Sequence, residues 1–95
     1  MSVTVSLPAN TAAFPSTLAG VTVNLQGANI DLNSEYTTIA TVASAVAAGS
    51  VTNWQSGQMA EPSPGAVNLP NYRFYRLQVA TGATGTGYIV GSILQ

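Results

Sequence analysis

The chain has 95 residues, of which 46% are hydrophobic and only 5% are charged, and it contains no lysine, histidine or cysteine. This composition excludes catalysis by histidine, cysteine or lysine, and it excludes disulfides and thiolate metal sites. Two arginines cannot supply the cationic surface that binds nucleic acid or an anionic membrane. We therefore expect one non-enzymatic domain over residues 1–95, without a cofactor or metal, whose charge-poor surface associates with other protein chains.

The first twenty residues combine a strand with a less regular segment. Residues 2–7 alternate apolar side chains with Ser and Thr, which predicts a half-buried strand. Residues 9–20 hold Pro, Gly and small polar residues and predict a loop that Phe14 anchors. An arm exchanged between subunits has the same pattern, although an ordinary connection is the favoured interpretation.

The middle of the chain predicts further strands and one ambiguous segment. Residues 21–26 alternate again, and residues 28–36 are rich in turn formers. Residues 37–48 stay open between helix and strand. Ile39, Val42 and Val46 have helical spacing, whereas the density of β-branched residues favours a strand.

The last part of the chain predicts a hairpin. Residues 51–56 form a short strand around Trp54, and the Pro-rich residues 58–70 must be a loop. Residues 72–80 and 88–94 are apolar runs on either side of a Thr/Gly/Ala segment, the pattern of a β-hairpin. Six or seven short strands predict an all-β fold, either a small antiparallel β-sandwich or a jelly-roll-like barrel, closed by this C-terminal hairpin.

The two arginines are candidate interface residues. Arg73 and Arg76 are three positions apart, so on a strand their side chains point to opposite faces. One interpretation is a salt bridge or hydrogen bonds to loop carbonyls; the other is an inter-subunit contact that also involves Tyr72 and Phe14, since Arg and aromatic residues are enriched at interfaces. The acidic residues available for a salt bridge are Asp31, Glu35 and Glu61.

Two further patterns suggest ligand sites. Trp54, Tyr72 and Tyr88 are candidates for a platform on which a sugar stacks, whereas a single Trp in a small domain is more often part of the core. Oxygen-bearing side chains alternate over residues 29–35 as in a calcium loop, but the required Gly and the bidentate Glu are missing. We therefore predict a turn for residues 29–35 and no metal site.

Three segments carry a family resemblance: QGANIDLNSEYTTIATV, the dipeptide NW, and YRFYRLQVATGATGTGYIVGSI. Together they cover about residues 26–93 and resemble small jelly-roll domains of bacteriophage virions. They are also similar to discoidin-like sandwiches, with a turn of the type G-(S/A)-N-x-D and a late aromatic-Arg strand. The phage resemblance implies a virion structural protein, namely a capsid decoration (cement) protein.

The expected partners follow from this resemblance and from the composition. They are further copies of the chain, with a trimer favoured, and the major capsid protein or another virion protein. The N-terminal segment MSVTVSLPAN lacks the basic and apolar regions of a signal peptide. We therefore expect synthesis in the host cytoplasm and residence in the virion. The alternative function is a carbohydrate-binding or adhesin-type module of a tail fibre or surface structure, which predicts an exposed Trp54 or Tyr88.

Overall fold

The structure is a computed structural model that describes residues 1–55 and 72–94. Six strands and one short 3₁₀ helix are present in this part of the chain, and the helix (Asn33–Glu35) lies between β2 and β3. The predicted strands are confirmed, and most of the ambiguous segment 37–48 is strand. The predicted Pro-rich loop at 58–70 lies outside the described residues. The strands are β1 (Ser2–Ser6), β2 (Val21–Ala28), β3 (Thr37–Val46), β4 (Val51–Gln55), β5 (Phe74–Val79) and β6 (Val90–Leu94).

The strands form two three-stranded sheets, with the orders β4-β1-β6 and β3-β2-β5. Every pairing between neighbours is antiparallel. The predicted all-β class is confirmed, whereas the barrel alternative is wrong because the described strands form two separate sheets. We call β4-β1-β6 the first sheet and β3-β2-β5 the second sheet.

Both sheets contribute to one buried core, which is centred on β1 and β2. Apolar side chains alternate along each central strand, so that one face of each strand is apolar. All the large members of the core are at most 3% exposed, and burial of each such aliphatic side chain stabilises the fold by about 1.5–3 kcal/mol. The cluster consists of Val3, Val5, Leu7, Val21, Val23, Leu25, Val42 and Ala43.

The predicted C-terminal hairpin is wrong. β5 pairs with β2 and β6 pairs with β1, so residues 80–89 cross from one sheet to the other. The two strands meet face to face instead: a Cβ at Gly91 would lie 2.6 Å from Leu77 Cδ1. Two neighbouring apolar runs look the same in the sequence whether they pair edge to edge or lie in different sheets.

Two crossing segments run side by side at one end of the sheets. Residues 15–20 and 84–87 are joined by an antiparallel bridge between Ala19 and Thr84, and the Thr17 N–H donates to the Thr86 carbonyl at 2.8 Å. Gly85 makes this approach possible, because a Cβ there would overlap the Thr17 carbonyl. Gly85, which the sequence places in a hairpin turn, therefore allows a contact between two crossovers.

The N-terminal strand is the central strand of its own sheet. β1 pairs along its whole length with β4 on one side and with β6 on the other. The residues after it, which were predicted to be a loop, are irregular and lead to β2. If β1 were exchanged between subunits, its pairings with β4 and with β6 would both have to be replaced by pairings with the other subunit.

Candidate functional site

The outer face of the first sheet carries no charge. On each strand the residues between the core-facing positions point away from the second sheet. Val51, Val90 and Leu94 belong to this face and are 62%, 58% and 72% exposed. We call it the neutral face, and it consists of Ser2, Thr4, Ser6, Val51, Asn53, Gln55, Val90, Ser92 and Leu94.

The polar side chains of the neutral face have few partners among the described residues. Thr4 Oγ1 donates to Asn53 Oδ1 at 3.0 Å, and this is the one side-chain hydrogen bond between residues of this face in the described part of the chain. The face therefore offers exposed aliphatic groups together with short hydroxyl and amide groups. Removal of such a surface from water costs less than removal of a charged one, because no ion has to be desolvated, provided that a partner supplies hydrogen bonds to the hydroxyl and amide groups.

The outer face of the second sheet is different, because its polar side chains are bonded to each other. Gln26 is 6% exposed and is the centre of the network. Its Nε2 donates to Thr38 Oγ1 at 3.1 Å and to Gln78 Oε1 at 3.2 Å, and its Oε1 accepts from Arg76 Nε at 2.7 Å. Asn24 extends the network, since its Oδ1 accepts from a Thr hydroxyl at 2.9 Å. This face satisfies its own hydrogen bonds.

Arg76 ties the turn between β2 and β3 to the second sheet. Its Nη1 donates to Asn33 Oδ1 at 2.8 Å, and its guanidinium carbon lies 3.9 Å from the centroid of the Tyr36 ring. The predicted salt bridge to Asp31 or Glu35 is not formed among the described residues. Amide oxygens and an aromatic ring take the place of a carboxylate, an arrangement that suits the planar guanidinium. Glu61, the remaining candidate, lies outside the described residues.

Tyr36 connects this arginine to an acidic residue. The Tyr36 hydroxyl donates to Asp31 Oδ1 at 2.6 Å. The hydrogen bond from Tyr36 to Asp31 is the main reason that the pKa of Tyr36 lies above its ordinary value, and Arg76 opposes the shift. Asn29 Oδ1 accepts from the Arg73 N–H at 3.3 Å. Three of the four side chains that resemble a calcium loop in the sequence, those of Asn29, Asp31 and Asn33, thus accept hydrogen bonds from the protein.

The predicted site residues are placed in separate regions. Phe14 and Tyr88 lie together, edge to face at 6.1 Å between ring centroids, and are 59% and 55% exposed. Arg73 lies just before β5, with its guanidinium 5.9 Å from the ring of the next residue, Phe74. Trp54 is half-buried and packs against the core.

Tyr72, the last of the predicted site residues, lies over the second sheet. Its ring covers Gly27, where a Cβ would overlap it, and its hydroxyl is 3.2 Å from Thr37 Oγ1. It also packs edge to face with Tyr75 at 6.2 Å. No contact of the described residues joins Tyr72 to Trp54 or to Tyr88, so the three predicted stacking residues do not form one platform.

The neutral face was missed by the sequence analysis. Its members come from three segments that are far apart in the chain, and only the strand order β4-β1-β6 brings them together. The available signal was the absence of charge at alternate positions of residues 2–6, 51–55 and 90–94. No helix among the described residues is long and apolar enough to cross a membrane.

Comparisons with protein-family models, with curated proteins and with solved structures found no match to this chain. The neutral face and the composition of the chain are therefore the features that bear on its function.

Proposed function

We propose that this chain is a virion structural protein, a capsid decoration (cement) protein that stabilises a phage head without catalysing a reaction. In this proposal the fold is a small β-sandwich of jelly-roll type, since the two sheets share one core. The observation that carries the proposal is the neutral face, a sheet surface with three exposed aliphatic side chains and no charge.

The charge distribution supports a protein contact at this face. The charged side chains of the described residues lie in the turn between β2 and β3 and at the start of β5, and so they belong to the second sheet. They are Asp31, Glu35, Arg73 and Arg76. Depletion of charge is the compositional mark of an interface core, so the first sheet is the side on which a protein partner fits best.

We propose two kinds of partner. Copies of the chain form a cyclic homo-oligomer, with a trimer favoured, and the assembled ring contacts the major capsid protein. The protein is made in the host cytoplasm and resides in the virion. Many identical weak contacts on a symmetric shell add up through multivalency, so each copy needs only a modest interface.

The test combines a mass measurement with a shell-binding assay. We expect light scattering to give one fixed oligomer over a wide concentration range, and we expect co-sedimentation with phage shells that lack decoration. Shells with bound protein should resist heat better than bare shells. A protein that stays monomeric at high concentration and neither binds nor stabilises any shell would refute the proposal.

The exposed pair of Phe14 and Tyr88 favours a second candidate, a carbohydrate-binding or adhesin-type module of a tail fibre. Two adjacent exposed aromatic rings offer a surface on which a sugar can stack. A glycan array with the wild-type chain and with Tyr88→Ala tests this candidate. The candidate predicts that the wild type binds a glycan and that Tyr88→Ala loses this binding. If the wild type binds no glycan on the array, the candidate is eliminated.

A further inference from the structure

The two sheets differ in how their edge strands are protected. In the second sheet, β3 pairs with β2 through three register shifts, and its Ala45 has a φ of 51°. β5, the other edge strand, carries Arg76. Bulges and charged residues on edge strands prevent the pairing of further strands. The second sheet is therefore closed to strand addition.

Among the described residues the first sheet has neither kind of protection. β4 and β6 each pair only with β1 among the described residues, and both registers run without a shift. Neither strand contains a charged residue or a proline. Each strand thus presents a regular row of backbone N–H and C=O groups along its outer edge, which is a template for a further strand.

The size of the neutral face decides how it is used. Three strands about 4.8 Å apart and five residues long, at about 3.3 Å each, give a flat footprint of roughly 240 Å². A standard interface uses about 20–30 residues on each partner, so the residues of the neutral face are too few for face-to-face contact alone. Backbone pairing along the edges has to contribute, and no strand of the described residues pairs with the outer edge of β4 or of β6.

We propose that β6 of one copy pairs with β4 of a second copy, so that the first sheet continues from subunit to subunit in a closed ring. The inference rests on the proposed function, since it names the surface through which the homo-oligomer forms. β4 and β6 are both antiparallel to β1 and hence parallel to each other, so ring-related copies pair these two strands in parallel.

The side chains at the two edges fit this pairing. Ser6 is level with both Val51 and Val90, so when β6 and β4 meet without a shift, Val90 of one copy lies beside Val51 of the next copy and two exposed aliphatic groups cover each other. In the same register Trp54 and Ile93, which are both level with Val3, lie side by side on the core face. Cross-strand pairs of these types stabilise sheets.

A ring also explains why both edges lack protection. A two-fold contact between β6 strands would leave β4 exposed in each copy, and a second contact at β4 would extend the assembly without limit. A head-to-tail ring uses every β4 and every β6 and leaves no edge of the first sheet open. In a trimer the continuous sheet would have nine strands.

The absence of cysteine permits a direct test by disulfide formation. Ser92→Cys is combined in turn with Val51→Cys, Asn53→Cys or Gln55→Cys, because the level of β4 against β6 in the ring is not fixed in advance. The two cysteines of one chain cannot bridge, since β1 separates them by about 10 Å and a disulfide needs Cα atoms within about 7 Å. Mild oxidation followed by a denaturing gel shows which chains are joined.

The expected result is a covalent dimer and trimer for at least one double variant, while every single-cysteine variant remains a single chain. A cross-link formed by Ser92→Cys alone would indicate a two-fold β6 contact and would overturn the ring. Failure of all three double variants would also overturn it. If the wild type is nevertheless a fixed oligomer that binds shells, the edge pairing is wrong and the proposed function stands; a monomer that binds no shell refutes both.

A charge placed on the edge gives a second, independent test. Ser92→Lys should lower the solution mass measured by light scattering from that of the oligomer to that of the monomer, because a lysine on the edge strand β6 opposes its pairing with β4 of another copy. Ser44→Lys, at an exposed position of β3, is the matched control and should keep the wild-type mass. Unchanged circular dichroism of both variants shows that the fold is intact. An oligomer that Ser92→Lys leaves unchanged contradicts the proposal.

Discussion

Gly85→Ala should destabilise the fold much more than Gly82→Ala, although both glycines have a positive φ. Gly85 has a φ of 85° and lies against the Thr17 carbonyl, whereas a Cβ at Gly82, with a φ of 110°, meets no heavy atom within 4 Å. Alanine at either position incurs a conformational cost of about 1–2 kcal/mol. Only at Gly85 must the two crossing segments also move apart.

The additional cost at Gly85 follows from the hydrogen bonds at that contact. The Thr17 N–H donates to the Thr86 carbonyl at 2.8 Å, and the Thr86 N–H donates to Thr17 Oγ1 at 3.1 Å. Each bond contributes about 1 kcal/mol, so Gly85→Ala should reduce the free energy of unfolding by about 2 kcal/mol more than Gly82→Ala. For a domain of this size the difference corresponds to a Tm lower by roughly 8–16 °C.

Urea unfolding followed by Trp fluorescence measures both free energies, and a thermal melt checks their order. If the two variants lose the same stability, the crossing segments are not packed as the structure has them. A larger loss for Gly82→Ala would contradict the reasoning directly, because that position has open space around it.

Three further outcomes are expected. Arg76→Lys should lower the free energy of unfolding by about 1–2 kcal/mol in a urea titration, because an ammonium group cannot bind two amide oxygens and stack on a ring at once; wild-type stability would show that the network is not needed. Since the folded protein raises the pKa of Tyr36, the stabilising contribution of this group is complete below its unfolded pKa of about 10 and is lost as the pH rises through the folded pKa. Tyr36→Phe should therefore flatten the fall in stability above that pH, and Asp31→Asn should move the spectrophotometric titration of Tyr36 to lower pH; an unchanged titration would exclude the hydrogen bond as the cause. Leu25→Ala, at a side chain with 0% exposure, should lower the free energy of unfolding by about 2–5 kcal/mol in the same titration, and a loss below 1 kcal/mol would place Leu25 outside the core.

The sequence predicted the strands well because alternation is a local signal. Val3, Val5 and Leu7 mark β1 by their spacing alone, and the same holds for the apolar positions of β2. The pairing of the strands was not predicted at the C-terminus, since an apolar run does not show which strand it will join. Gly91 provides the room that Leu77 needs at the contact between the sheets, and a glycine within an apolar run does not show this in the sequence.

The candidate site was predicted in part. Phe14 and Tyr88 were both chosen from the sequence, but their contact depends on two crossovers that the predicted hairpin did not contain. The sequence left Arg76 open between a salt bridge, hydrogen bonds to loop carbonyls and an inter-subunit contact, and in the structure it donates to the side-chain amides of Gln26 and Asn33. An amide that becomes a partner only after a sheet has formed gives no signal in the sequence.

The contrast between the two outer faces bears on how this chain reaches a partner. On the second sheet, Gln26 and Arg76 are already bonded within the chain, so a partner would have to break those bonds before forming its own. On the outer face of the first sheet the described residues make one such side-chain bond, between Thr4 and Asn53, so a partner there displaces water and leaves most of the internal structure intact. A neutral surface, however, gives no electrostatic steering, so association there should be slow to begin and nearly independent of salt. The stability of an assembly formed through the first sheet must therefore come from backbone pairing and from the contact of Val51 with Val90. Each such contact is small, and a closed ring repeats it in every subunit.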